Sequence, residues 1–456
     1  MMISGEDVER ICGIEAYATK AEGIGGVLKH KPEDFVVWEH LVNGLDAREE
    51  FEKPAPRPIT SPYALYAARK KNLETLAAIK LLAEHLDVKI SHIGACGIKD
   101  RRSISYMFLS APTRKVVQSI DVCFGEKEFE VKLVRGVARP LSSRWLVANS
   151  FDIVISHTSM RDDALMEAFS RILSELGGAF PNFFGHQRFG ITRPITHLVG
   201  KAILHGDYEL AVRTLLFLST RIEMGYNRER RVAAYQKWGR GEIAEFFKPN
   251  LRYEYIVARH LDLHGGDYLG ALRRLPLRLK KLFIHAYASY IFNKALSRML
   301  KEGVMLNEPE AGDIVGRLDR NGLLAGRVFQ VHAGNLAACR RYASKGELGV
   351  FLPVVGYRTI IPRSGKGEIV REVLEEEGLE LSLFACPSMP EARTPGEYRT
   401  PLTHFTGMEY QPTGYGVRVR FTLPRGSYAT MLLREFMKPD SALAYSGRVK
   451  SKSIGV

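Results

Sequence analysis

The sequence predicts an α+β fold in which one sheet, built from both ends of the chain, is interrupted by a helix-rich insertion. Three observations carry this. Period-two alternation recurs in the first 160 residues and returns near the C-terminus, the middle shows 3.6-residue periodicity instead, and 456 residues exceed one ordinary core. The insertion is expected over 208–390, with 1–207 and 391–456 as the two parts of one domain.

The elements follow in order. "DFVVWEH" (34–40) alternates as a strand that Phe35 can start after a turn opened by Pro32. "FEKPAPRPITSPY" (51–63) combines fixed φ angles with missing donors and is expected to be a stiff connector. "NLETLAAIKLLAEHL" (72–86) puts Leu73, Leu76, Leu82 and Leu86 on one stripe, with Asn72 as N-cap. "SYMFLS", "KEFEVKLV" and "LVANSFDIVIS" alternate as half-buried strands, whereas "DDALMEAFSRILSEL" and "LRLKKLFIHAYASYIFNKALSRML" carry helical periodicity. In "GVRVRFTL", Val417, Val419 and Phe421 oppose Arg418 and Arg420. Ser427 is then placed to cap a helix with Leu432, Leu433 and Phe436 inward.

Composition narrows the function. The chain is 45% apolar and 25% charged, as globular proteins are, and 65 Lys and Arg against 51 Asp and Glu leave +14. That excess favours a polyanionic partner such as nucleic acid over a small neutral ligand. Five scattered cysteines never at C-x-x-C spacing argue against disulfides and zinc, and fit a reducing, cytoplasmic setting. The acidic start "MMISGEDVERICGIEAY" is not expected to be a signal peptide, and no run of about 18 apolar residues offers a membrane span. "EGIGGVLK" lacks dinucleotide-loop spacing, "RSGKGE" is not a phosphate loop, and His30, His40, His85 and His92 sit at no metal spacing.

Four segments carry chemistry-bearing residues. "ACGIKDRRSISYMF" sets Asp100 among Lys99, Arg101 and Arg102, a composition that by itself also describes a solvated turn. "FPNFFGHQRFG" (180–190) interleaves Asn182, His186, Gln187 and Arg188 with Phe, a mixture that serves a hydrophobic core or a base pocket equally. Gly185 would let a backbone come close. "LKHKPEDFVVWEH" places Lys29 and Lys31 beside a strand start, and "LPRGSYATMLLREFM" leads into a helix.

Together, "KHKPEDF", "GIKDRRSIS", "NFFGHQRFG" and "LPRGSYAT", in this order across nearly the whole chain, resemble the TruD family of tRNA pseudouridine synthases. The long divergent insertion resembles that of archaeal members. Ser103 stands where the family usually has Ala, Ser105 where Thr is usual, and Ala148 where Gly is common before Asn149. These small-for-small exchanges could tune how the turn holds Asp100.

The resemblance implies a pseudouridine synthase catalytic domain with a mixed or antiparallel sheet from both chain ends, interrupted by the family's insertion domain. It implies that Asp100 is the catalytic nucleophile, that Lys29 lies near the active site, that Asn182 and Phe184 line the uridine pocket, and that Arg188 and Lys99 bind substrate. The substrate is tRNA, with uridine-13 the usual target. The reaction breaks N1–C1′, turns the uracil and rejoins it through C5. It is redox-neutral and calls for no cofactor, metal or obligate protein partner.

A carboxylate entering a base pocket needs a cation to stay ionised, and Lys29, Lys99 or Arg188 can supply it. The uridine must leave its stack at a cost of a few kcal/mol, of which contact with Phe184 would recover about 1–3 kcal/mol. In the insertion, "YNRERRVAAYQKWGRGE" interleaves Arg228, Arg230, Arg231, Lys237 and Arg240 with Tyr226, Tyr235 and Trp238. This is expected to be an RNA-phosphate surface, a solvated helix face being the plain alternative. A catalytically idle RNA-binding protein on the same scaffold is the competing function.

Overall fold

The computed structural model describes residues 8–54, 60–158 and 160–447, with the backbone of Met2 and Ile3. Of the Pro-rich connector, 55–59 lie outside the described residues, and Phe51 and Glu52 close a short helix, Ala47–Glu52.

The main sheet contains β1 (Phe35–Leu41), β2 (Tyr63–Lys71), β3 (Ile104–Pro112), β4 (Ser119–Phe124), β5 (Lys127–Val137), β6 (Leu146–Ser156), β7 (Thr406–Pro412) and β8 (Gly416–Pro424). Their spatial order is β7-β8-β6-β1-β3-β2-β5-β4, with the short Gly94–Ala95 strand beside β3. Only β1 and β3 run parallel; the other ladders are antiparallel. The mixed sheet thus takes strands from both chain ends, and β8 enters it next to β6 with Val419 opposite Ile153.

β2 was not among the expected strands. "YALYAARKK" shows no alternation because both faces are covered: Ala64, Tyr66 and Ala68 join a core under the helix Thr75–Leu86, while Leu65 and Ala67 join another against Ala47 and Phe51. That helix begins at Thr75 rather than at an Asn72 cap. Asn72 instead takes φ +50, a left-handed turn that Asn tolerates. Leu76 points outward at 56% exposure, although Leu73, Leu82 and Leu86 are buried. At the other end Ser427 caps no helix: the helix is Ala429–Met437, and the Ser427 hydroxyl meets that of Thr403.

The expected helices form over Asp162–Leu176 and Leu277–Lys301. The longer one lies against the helix Thr196–Leu204 at a point where only glycine fits, since a Cβ on Gly200 would sit 2.0 Å from the Phe283 carbonyl oxygen. A four-stranded sheet (Ile314–Leu318, Leu324–Gln330, Leu348–Val354, Glu397–Arg399) stands beside it. The largest core cluster runs without a break from Val8 through Phe292 and Val370 to Tyr445, so packing crosses residues 207/208 and 390/391. The chain ends interlock there: Arg434 pairs with Glu9, and Glu435 accepts from the Thr19 backbone.

Candidate active site

A turn after the Gly94–Ala95 strand delivers Asp100 to the floor of a cleft of about 530 Å³, between β3 and the loop following Phe184. Lys29, Asn72, Arg101, Arg102, Gln187 and Thr192 line it with Asp100. The Lys29 Nζ donates to Asp100 Oδ2 at 2.5 Å. Lys29 is 5% exposed and holds φ +59, so its backbone is kept in a conformation costly for a side-chain-bearing residue. The Asp100 side chain remains 39% exposed, open to a ligand.

Other contacts fix the turn. Lys70, fully buried on β2, donates to the Asp100 carbonyl at 2.6 Å and to the Leu73 carbonyl at 3.0 Å. The Ser103 hydroxyl donates to the same Asp100 carbonyl at 2.8 Å and lies 2.9 Å from that of Ser105. Arg102 reaches the carbonyls of His30 and Gly447, tying the turn to both ends of the chain.

Burial alone would raise the Asp100 carboxyl, but Lys29, followed by Lys70 and Lys99, outweighs it and holds the group below the usual carboxylate range. The carboxylate is therefore ionised at neutral pH. Burial lowers Lys70 to about 8, opposed by Asp100. Of the residues around Asp100, the sequence offers Asn72 only as a helix cap and Gln187 only as part of the Phe-rich stretch, and it does not single out Lys70. The only signal for Lys70 was a cation in a strand otherwise buried on both faces.

Several expected site residues stand elsewhere. Lys99 acts on Asp100 only at a distance: its Nζ pairs with the fully buried Glu39 at 3.0 Å and donates to Asn149. Asn182 and Phe184 do not line the Asp100 cleft. Asn182 donates to the Thr400 carbonyl at 2.9 Å, and Phe184 is 6% exposed, edge-on to Phe292 and Tyr428. The Phe184 backbone is anchored by Asn293 of the long helix, whose side chain accepts from its N–H and donates to its carbonyl. Arg188 lies over the Phe184 ring and donates to Ser289. Gly185 admits a neighbour, but it is a side chain: a Cβ would lie 2.8 Å from the Tyr428 ring.

The 226–242 stretch needs a larger correction. Arg231 is not a phosphate ligand: at 2% exposure it donates to Glu223 at 2.9 Å and Glu254 at 2.7 Å, because the turn of the helix Gly225–Gln236 that buries Ala234 also points Arg231 inward. Trp238 is half-buried, packed on Phe217 and Tyr268. Arg230 bonds the Lys248 carbonyl and Tyr226. Lys237 and Arg240 are exposed, and Arg228 borders a groove with Arg213.

A mixed sheet thus presents a lysine-held carboxylate in a cleft lined by further cations. The chain belongs to the tRNA pseudouridine synthase D (TruD) family, whose model matches residues 11–436, and it is an isomerase of that family. It is 35% identical to a "probable tRNA pseudouridine synthase D" of Thermococcus sibiricus over 92% of this chain and 97% of the relative. It is 32% identical to one from Methanococcoides burtonii, over 95% and 98%. A crystal structure from Methanosarcina mazei, described as a "putative tRNA pseudouridine synthase D", superposes with a TM-score of 0.76 at 28% identity, covering 96% of this chain and 99% of that one. Among the described residues no helix is long and apolar enough to cross a membrane.

Proposed function

We propose that this enzyme isomerises a uridine of tRNA, uridine-13, to pseudouridine with Asp100 as the nucleophile and no cofactor, and that residues 208–390 form the insertion domain. The ion pair of Lys29 with Asp100 in an open basic cleft carries the reading. It keeps a carboxylate charged where an extruded base would displace water, the condition under which an acid group ordinarily takes up a proton. Attack at C1′, attack at C6 and elimination from the sugar all use that ionised oxygen. The relatives' descriptions support tRNA as the substrate, and the exposed Lys237 and Arg240 are candidates for phosphate contact away from the cleft.

Release of tritium from C5-labelled uridine in tRNA tests this. Wild type should release it, and Asp100→Asn should fall roughly a thousandfold or more while still binding tRNA. No release by wild type would instead favour an idle RNA-binding protein on this scaffold. Charge removal at Lys237 and Arg240 together should lower the salt slope of tRNA binding by about two.

A further inference from the structure

Two arginines share the ring of Phe184. The Arg399 guanidinium carbon lies 4.4 Å from the ring centroid and that of Arg188 lies 5.6 Å from it. Neither has a carboxylate oxygen within 4.0 Å among the described residues. Arg399 is held by neutral acceptors: its Nε donates to the Asn182 carbonyl at 2.9 Å, and its Nη2 to Asn182 Oδ1 and to the Gly426 carbonyl. Arg188 spends only its Nε, on Ser289. The Nη1 of Arg399 and both terminal nitrogens of Arg188 are left with unused N–H groups, and none of these atoms is sealed from solvent.

The surroundings deepen the positive field. Burial lowers Arg399 to about 10, with Arg188 adding to the effect and Tyr428 and Glu397 opposing it. On the long helix, burial, Arg188 and Lys281 together hold His285 below its ordinary value, with Glu397 opposing them. A desolvated guanidinium without a counter-ion is costly to keep, and a planar fork of free donors fits phosphate oxygens. Phe184 has no uncovered face for a base, so it serves as the platform for the free fork of Arg188 and the Nη1 of Arg399.

We propose that Arg399 and Arg188, seated on Phe184, bind a backbone phosphate of the RNA strand adjoining the extruded uridine. The loop that carries Arg188 also lends Gln187 and Thr192 to the Asp100 cleft, so the arginine pair and the carboxylate are joined through one loop. This assignment rests on the uridine-isomerising reading.

The test uses Asp100→Asn protein and tRNA carrying one uncharged methylphosphonate linkage at a time on either side of the target uridine. At one linkage the neutral substitution should weaken binding about tenfold, by less once Arg399→Ala is also present, and not at all when Arg188→Gln is added to it. Arg399→Lys should recover part of the lost affinity by restoring the charge without the fork. An equal methylphosphonate penalty in both backgrounds at every linkage overturns the proposal, as does Arg399→Ala with unaltered affinity. Where Arg399→Ala does not fold, Arg399→Lys and Arg188→Gln give the same coupling. Failure of wild type to release C5 tritium would strike the isomerase reading alone, because the coupling is read from binding.

Discussion

At Asp100 three lysines act on one carboxylate in a cleft open to a ligand, whereas at Arg231 two arginines share two glutamates in a sealed interior. Both arise from stretches rich in cations, "GIKDRR" and "NRERR". Their fates differ in charge balance. Glu223 and Glu254 neutralise Arg231 and Arg193, so that region can shut out water and support the fold. Around Asp100, Glu39 balances Lys99 and Asp100 itself balances Lys29, and the surplus lies with Arg101 and Arg102 on the cleft wall, where an incoming anion can meet it. A closed, balanced cluster reads as architecture, and an open, unbalanced one as a site.

The largest effect that can break this contrast comes from Arg231. Arg231→Leu would leave buried Glu223 without a cation and Glu254 with Arg193 alone, and should cost about 3–5 kcal/mol, seen as a lower urea midpoint, with tRNA affinity of the folded protein unchanged. Unaltered stability joined to weaker tRNA binding would return Arg231 to the RNA surface and erase the distinction.

Lys29→Met sharpens the other side. With the amine gone, only Lys70 and Lys99 still oppose burial at Asp100 and its carboxyl rises, so the acid limb of kcat/KM should move to higher pH. The sign for stability follows from the same depression. The folded-state value lies below the unfolded one near 3.9, so the pair's contribution is complete above that pH and is lost as pH falls through the folded value. Wild type should therefore outlast the variant at neutral pH and converge with it in acid. Lys29→Gly removes the same amine while relieving the φ +59 backbone. It should shift the pH profile alike yet be the more stable of the two variants. An unmoved acid limb would mean that Lys29 does not govern the charge of Asp100.

What was legible in the sequence follows from where each partner lies. β6 and β8 could be read because one face of each packs and the other carries polar groups, Arg418 and Arg420 on β8 reaching Asp152 of β6 across the ladder. β2 could not, since a strand covered on both faces loses its alternation, and with it went Lys70, the cation beneath the Asp100 turn. Asp100 and Lys29 stood out through flanking motifs, although 71 residues separate them. Arg231 was misread because Glu254, 23 residues on, is brought to it only by tertiary packing.

The smallest predicted effect concerns the two serines that depart from the family pattern. Ser103 and Ser105 are fully buried, and the Ser103 hydroxyl bridges the Ser105 hydroxyl and the Asp100 carbonyl. Ser103→Ala would leave that carbonyl its bond from Lys70 but strand the Ser105 hydroxyl in an apolar strand, for a loss of about 1 kcal/mol by denaturation. Adding Ser105→Ala removes the stranded group, so the double variant should cost less than the sum of the singles. Strict additivity would show that the two hydroxyls do not act as one support for the turn. Because Lys70 still holds the turn, tritium release by either single variant should stay within a few-fold of wild type, far from the collapse expected of Asp100→Asn.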